Sequence, residues 1–288
     1  MSYAPSGQQF ELHFQDQSAT VVEVGGGVRA YRVGDRDVLH DYPIEAMCDG
    51  AHGQPLIPWP NRLGDGRYSF DGVDYQVSLT EPEKHNALHG FLRWRTWEPM
   101  AVEASRVVLG TRLYPLQGYP FALSVEIEYV LNQAGLRVRT TATNIGTTAC
   151  PYACGQHPYL SPGTGRIDDA TLQLRVGTRI VTDAERQLPT GREAVAGTPY
   201  DFRTGRRIGD LAIDFAFDDL DRDAKGLAWA ELTGTDGHTA RIWVDESYPL
   251  LEIYTADTLT PERQRRGLGV EPMTCPPDGL HSGDRVIR

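Results

Sequence analysis

Two short segments, Asn86-Ala87-Leu88-His89-Gly90 and Gly155-Gln156-His157-Pro158-Tyr159-Leu160, each set one histidine in a tight context punctuated by Gly or Pro. A third, Gly269-Val270-Glu271-Pro272, contributes a carboxylate. Imidazole changes charge near neutral pH, and a carboxylate is a weak base that burial strengthens. Such a trio suits proton exchange on a neutral substrate, one group delivering a proton while another removes one. Glu271 stands in an apolar run from Gly267 to Met273, where an unpaired buried charge is costly, so it is expected to have a partner or a chemical role.

The three segments lie far apart in the chain, so the elements between them must bring them together. The dominant period is two, over residues 9–14, 20–24, 28–33, 106–113, 123–131, 136–143, 171–176, 228–232, 240–244 and 250–255. Each stretch is short, rich in Val, Ile, Leu, Thr or Tyr, and bounded by Gly, Pro, Asp or Asn, which predicts an all-β, antiparallel chain. Val125 to Val130 and Leu136 to Arg139 alternate across Asn132-Gln133-Ala134-Gly135, predicting a hairpin with one solvated face and cross-strand Glu/Arg pairs. Helical signal is nearly confined to Thr260-Pro261-Glu262 leading to Arg265-Arg266-Gly267. An N-cap, a first-position proline, basic residues and a closing glycine predict a single surface turn of helix there.

A length of 288 residues is ordinary for one all-β sandwich, and no repeat or linker divides the chain, so residues 1–288 are expected to form a single domain. The chain carries 28 basic and 39 acidic residues, a net charge of −11, without a Lys/Arg stripe to track phosphates. Nucleic acid is therefore not an expected partner. No apolar run approaches the roughly 20 residues of a membrane helix, and Met1 to Gln17 lacks the basic-then-apolar order of a signal peptide. A soluble cytoplasmic monomer or homodimer is the expectation. Four cysteines, Cys48, Cys150, Cys154 and Cys275, are too few for a disulfide scaffold. Cys150-x3-Cys154-x2-His157 has the look of a zinc motif, but Cys48 and Cys275 stand alone in their segments and supply no second pair. Small buried side chains explain the cysteines better, and neither metal nor cofactor is expected.

In chain order, Pro60-Asn61-Arg62-Leu63-Gly64, Gly66-Arg67-Tyr68-Ser69-Phe70-Asp71-Gly72, Leu88-His89-Gly90 followed by Trp94, His157-Pro158-Tyr159, Asp201-Phe202-Arg203, Leu251-Glu252-Ile253-Tyr254-Thr255, and Glu271 ahead of Pro277-Asp278 form a series. It resembles the motif series of the aldose 1-epimerase (galactose mutarotase) family over about residues 20 to 280. Any one motif is weak alone; their order is specific. The resemblance implies a large, twisted antiparallel β-sandwich of the supersandwich type with little helix. It also implies cofactor-free interconversion of α and β anomers of hexopyranoses. Under it, His157 resembles the general acid on the ring oxygen, Glu271 the base on the anomeric hydroxyl, and His89 a second histidine beside the ring oxygen. Asn61, Arg62 and Asp214 resemble groups that hold sugar hydroxyls. Asp214 shares a predicted loop with Asp218, Asp219 and Asp221, any of which could be the ligand.

The chemistry agrees on its own terms. Opening a hemiacetal takes a proton from the C1 hydroxyl and gives one to the ring oxygen, so a base and an acid are expected on opposite sides of the sugar, each contributing ~10²–10⁴-fold. Plainer readings stand beside these. His13, His40, His52, His85, His238 and His281 receive no role, and His85 is the residue most easily mistaken for His89. Arg62 could instead simply pair with a nearby acid such as Asp65. Trp59, Tyr68, Trp94 and Trp97 read as core ahead of sugar platforms, while Tyr159 reads as pocket lining.

These residues leave substrate identity open. Glu252 stands where the family often has glutamine and is expected to add negative charge against anionic sugars. Arg93 and Arg95 flank Trp94 and favour an acidic or phosphorylated one. Two functions from different classes follow. One is a mutarotase for free aldohexoses such as glucose or galactose, with a relative acting on a sulfonated or phosphorylated sugar as its variant. The other is a carbohydrate-binding protein without turnover.

Overall fold

The computed structural model describes residues 4–163 and 165–288. Of the opening stretch read against a signal peptide, residues 1–3 lie outside these, and Gln9–Phe14 is a strand. The predicted antiparallel β architecture is present throughout. One four-stranded sheet runs Gln9–Phe14, Gln17–Val22, Val28–Val33 and Arg36–Asp37; a second runs Glu98–Glu103, Arg106–Leu113, Leu123–Asn132 and Gly135–Asn144. A third orders Arg206–Arg207, Thr171–Leu174, Ala228–Thr233 and Thr239–Val244. The central sheet has eight strands, in the order Pro189–Ala194, Val176–Thr182, Asp214–Leu220, Leu250–Tyr254, Leu268–Met273, Gly155–Gln156 and Pro55–Leu56, with Tyr159–Leu160 also on Leu268–Met273.

Alternation determines the outer sheets. In Leu123–Asn132 the odd positions from Leu123 to Leu131 are buried, and the strand turns through Gln133-Ala134 into Gly135–Asn144 with Asn132 opposite Gly135. The Asn132 side-chain oxygen accepts the Ala134 N–H at 2.8 Å, closing the turn. The expected Glu/Arg pairing forms with a shifted partner. Glu128 lies opposite Arg139, yet its carboxylate accepts from Arg106 at 2.7 Å and the diagonal Arg137 at 3.5 Å.

Two other expectations are corrected. Residues 260–265 make a hydrogen-bonded turn and no helix, with Arg263 and Gln264 N–H both donating to the Thr260 carbonyl. Arg265 is not a surface cap: it is buried at positive φ, bound to Asp168 and Asp257 and to the carbonyls of Gly209 and Leu211. The segment of Asp214, predicted as a loop, is a strand of the central sheet. Its middle, Phe215 to Asp218, is buried on both faces, so it shows no period to read.

The main apolar cluster extends from Phe10 to Leu280 and draws on each of these four sheets and on two short two-stranded ladders, Arg62–Gly64 with Asn86–Leu88 and Arg67–Phe70 with Val73–Gln76. Large members such as Trp97, Tyr119 and Phe202 are fully buried, and full burial of a large apolar side chain stabilises by roughly 1.5–3 kcal/mol. No helix among the described residues is long and apolar enough to cross a membrane.

Candidate active site

The central sheet supplies one wall of the site. Glu252 on Leu250–Tyr254 and Glu271 on Leu268–Met273 are direct cross-strand partners, and Ala216 lies opposite Glu252 on the next strand, two residues from Asp214. Because neighbouring residues of a strand face opposite ways, Glu271 looks into the site while Pro272 lines a separate groove of about 1060 Å³ on the reverse face. Pro158, next to His157, lines that same groove.

A short ladder supplies the other wall. Arg62–Gly64 pairs with Asn86–Leu88, Arg62 opposite Leu88, so Asn61 and His89 meet just beyond its end. Both take left-handed backbone, φ +57° and +62°. Gly90 follows at φ +66°, and a Cβ there would stand 2.0 Å from the Ile57 carbonyl oxygen, so only glycine allows this approach. The Asn61 N–H donates to His89 Nδ1 at 3.0 Å. An accepting Nδ1 fixes the neutral tautomer with hydrogen on Nε2, so His89 presents a donor to the cleft.

These walls bring the three sequence segments together. His157 Nε2 lies 3.1 Å from Glu271 Oε1, both groups buried. The His89 and His157 rings meet edge to face with centroids 5.3 Å apart. The residues expected as acid and base therefore stand side by side, where the expectation from the sequence is opposite sides of a sugar. His157 Nδ1, Glu271 Oε2 and Glu252 Oε2 are buried without a hydrogen-bond partner.

Electrostatics follow from burial. Desolvation, with the charge of Arg93 adding to it, pulls the His157 pKa down to about 3 and holds His89 well below the usual imidazole range. Desolvation pushes Glu271 and Glu252 well above the usual carboxylate range, helped by Asp214 for both and by Glu271 for Glu252. Burial therefore works against the negative charge expected of Glu252.

The remaining predicted residues sort as follows. Asn61 is buried; its side-chain oxygen accepts the Arg62 N–H at 2.8 Å. Arg62 does not pair with Asp65, which goes to Arg186; it binds Glu81 at 3.0 Å and Asp214 at 3.3 Å. Burial would lower its pKa, but those two carboxylates override that and hold it up. Asp214 alone of the four candidate aspartates reaches Arg62. Asp218 is buried against Arg192 and Arg285, Asp219 accepts from Thr178, and Asp221 is exposed. Tyr159 is buried between His157 and His52, its ring stacked 3.7 Å from His52, and its hydroxyl donates to the Gly50 carbonyl at 2.7 Å. It backs His157 and leaves its hydroxyl no freedom for a ligand. Trp59, Tyr68 and Trp97 are core, whereas Trp94 is exposed under the Arg93 guanidinium. His85 is exposed.

Sequence reasoning missed Glu81, Gln187 and His52. Glu81 is the buried partner of Arg62, Gln187 donates to Asp214, and His52 buttresses Tyr159. No local pattern marks a loop residue whose partner is distant, so none of the three had a signal to find.

His89, His157 and Glu271 place their donor atoms within 4.8 Å of one another, a spacing that invites a metal reading. The tautomer does not fit it. Binding through His89 Nε2 needs that nitrogen free of hydrogen, whereas the Asn61 N–H occupies Nδ1 and leaves the hydrogen on Nε2. The cysteine reading fails on direction, since Cys154 Sγ contacts Tyr248 at 3.8 Å beside the reverse-face groove.

Comparison with known proteins agrees with the motif series. A family model described as aldose 1-epimerase matches residues 8–287. The uncharacterized protein YihR of Escherichia coli K12 is 34% identical over 287 residues, covering 96% of this chain and 87% of the relative. The fold is similar to the GalM/aldose epimerase homologue from C. elegans, with a TM-score of 0.84, 17% identity and coverage of 98% and 94% of the two chains. It is also similar to galactose 1-epimerase from Lactobacillus acidophilus, with a TM-score of 0.78, 20% identity and coverage of 96% and 89%. With its motifs in order, its sheets in the same arrangement and nearly its whole length matched, the chain belongs to the aldose 1-epimerase family.

Proposed function

We propose that this protein interconverts the α and β anomers of an aldohexopyranose of the glucose or galactose type by acid/base ring opening and reclosure. The observation that carries the reading is the buried contact of His157 Nε2 with Glu271 Oε1 at 3.1 Å, with the other oxygen of Glu271 unpartnered. The pair has two forms with the same number of protons: imidazolium with carboxylate, and imidazole with carboxylic acid. Starting from the first, Glu271 takes the anomeric hydroxyl proton while His157 gives its proton to the ring oxygen, and the C1–ring oxygen bond breaks. The pair is then in its second, uncharged form, and the open-chain aldehyde has lost no net proton. Rotation about C1–C2 presents the other carbonyl face, and the same two transfers in reverse close the ring as the other anomer. Burial favours the uncharged form, so the charged one is reactive. His89 donates from Nε2 beside the ring oxygen, while Asn61, Arg62, Asp214 and Glu252 hold hydroxyls.

One observation favours an anionic sugar as a second reading. Arg93 is largely desolvated, its charge acts on both site histidines, and its Nε is buried without a partner. A sulfonate, phosphate or carboxylate on the substrate would satisfy it. Arg95 is exposed and adds nothing to this. NMR exchange between anomers, run on neutral and anionic hexoses, tests both readings. Catalysed exchange is expected in the wild type, and Glu271→Gln is expected to lower turnover by orders of magnitude while sugar still binds. Binding of sugars without catalysed exchange of any would leave a carbohydrate-binding protein in place of an enzyme.

A further inference from the structure

Glu252 stands beside the base, and acid/base ring opening by itself gives it no task. Glu252 and Glu271 lie directly opposite each other on adjacent strands, 1% and 2% exposed, and each keeps one carboxyl oxygen without a hydrogen-bond partner. Asp214 faces them from the next strand and Arg62 from the short ladder, with His157 and Tyr159 on the Glu271 side. Arg62 is the cation of this set, and Glu81 and Asp214 already bind it. Like charges directly opposed on a sheet repel, and at this depth water does not screen them. Two carboxylates sharing such a site cannot both be ionised near neutral pH.

Resting on the mutarotase reading of the cleft, we propose that Glu252 and Glu271 hold a single proton between them whenever the His157–Glu271 pair is in its charged, reactive form. Glu252 keeps that proton while Glu271 acts as base, and it meets the sugar as a neutral carboxylic acid donating to a hydroxyl. A glutamine at this position would donate too, but could neither take up nor release a proton. Glu252 therefore fixes which carboxyl ionises and sets an alkaline limit: once the shared proton is lost, two anions face the sugar and its hydroxyl loses a donor.

The test follows both carboxyls by ¹³C NMR of glutamate-labelled protein across pH, alongside the pH profile of kcat/KM for anomer exchange. In the wild type the pair is expected to titrate in two steps more than about one unit apart, and Glu252→Gln is expected to abolish the upper step. The alkaline fall of kcat/KM is expected to move to higher pH in Glu252→Gln, whatever the height of the plateau. If Glu252→Gln fails to fold, Glu271→Gln serves in its place, and Glu252 should then titrate below the upper wild-type step. Independent ionisation of both glutamates in the ordinary carboxylate range would overturn the proposal. So would an alkaline limb that Glu252→Gln leaves in place. Because the NMR titration needs no turnover, a protein inactive on every sugar would still show whether the two carboxyls share a proton.

Discussion

His157 and His89 meet ring to ring, and the roles assigned to them separate cleanly from a structural role. His157→Asn is expected to lower turnover by roughly 10²-fold or more and to leave the melting temperature within a few degrees. His89→Asn removes the Nε2–H donor and is expected to slow exchange as well. The double variant should lose less than the product of the two losses, since both residues serve one proton delivery. Independent multiplication of the losses, or a collapsed fold with normal turnover in the surviving fraction, would assign the chemistry elsewhere. These histidines and Glu271 were legible in the sequence because titratable groups in Gly- and Pro-rich or apolar runs are conspicuous. Their protonation was not legible. The tautomer of His89 is set by a backbone N–H contributed by Asn61, 28 residues away, and the depressed pKa of His157 is set by burial.

Among the elements, the outer strands were legible where one face is solvated, as in Leu123–Asn132. Of the strands that carry the candidate site, Leu250–Tyr254 was read as a strand although it is buried throughout, and the others were not. Leu268–Met273, which carries Glu271, is buried at every position and shows no alternation, and Asp214–Leu220, buried along its middle, was read as a loop for the same reason. Helix punctuation at Thr260-Pro261 misled because the same residues also open an isolated turn. The short ladder of Arg62–Gly64 and Asn86–Leu88 depends on one contact that no pattern announced, the buried ion pair of Arg62 with Glu81. Glu81 also accepts from the Asn86 side chain at 3.0 Å and pairs with Lys84 at 3.2 Å, so it ties the loop before the ladder to both strands. Glu81→Ala leaves Arg62 buried with only Asp214 as partner, and is expected to cost about 3–5 kcal/mol. Urea unfolding measures this, and a loss below about 1 kcal/mol, the range of a surface pair, would mean that the pair is solvated.

For the whole molecule, the main core cluster running from Phe10 to Leu280 favours a single cooperative unfolding transition, with a pH dependence set by two opposed families of buried groups. Burial depresses the pKa of His52, His89 and His157 below the ordinary 6.5, His157 to about 3, and that of His40 to about 4. A depressed histidine contributes stability that is fully present above 6.5 and is lost as pH falls from there toward its folded value, because the unfolded chain binds the proton first. Glu252 and Glu271 act in the other direction: raised above the ordinary 4.5, they contribute stability present below that value and lost as pH rises through their folded range. The melting temperature is therefore expected to trace a dome, its acid side falling from about pH 6.5 down to about 3 as the histidines are forced to charge. Scanning calorimetry across pH reads both sides. His157→Asn should flatten the acid slope, and Glu252→Gln the alkaline one, each leaving the other side of the dome in place. A histidine variant that leaves the acid slope unchanged would mean that His157 is hydrated in solution. The acid/base pair would then work in water, without the desolvation that makes its charged form reactive.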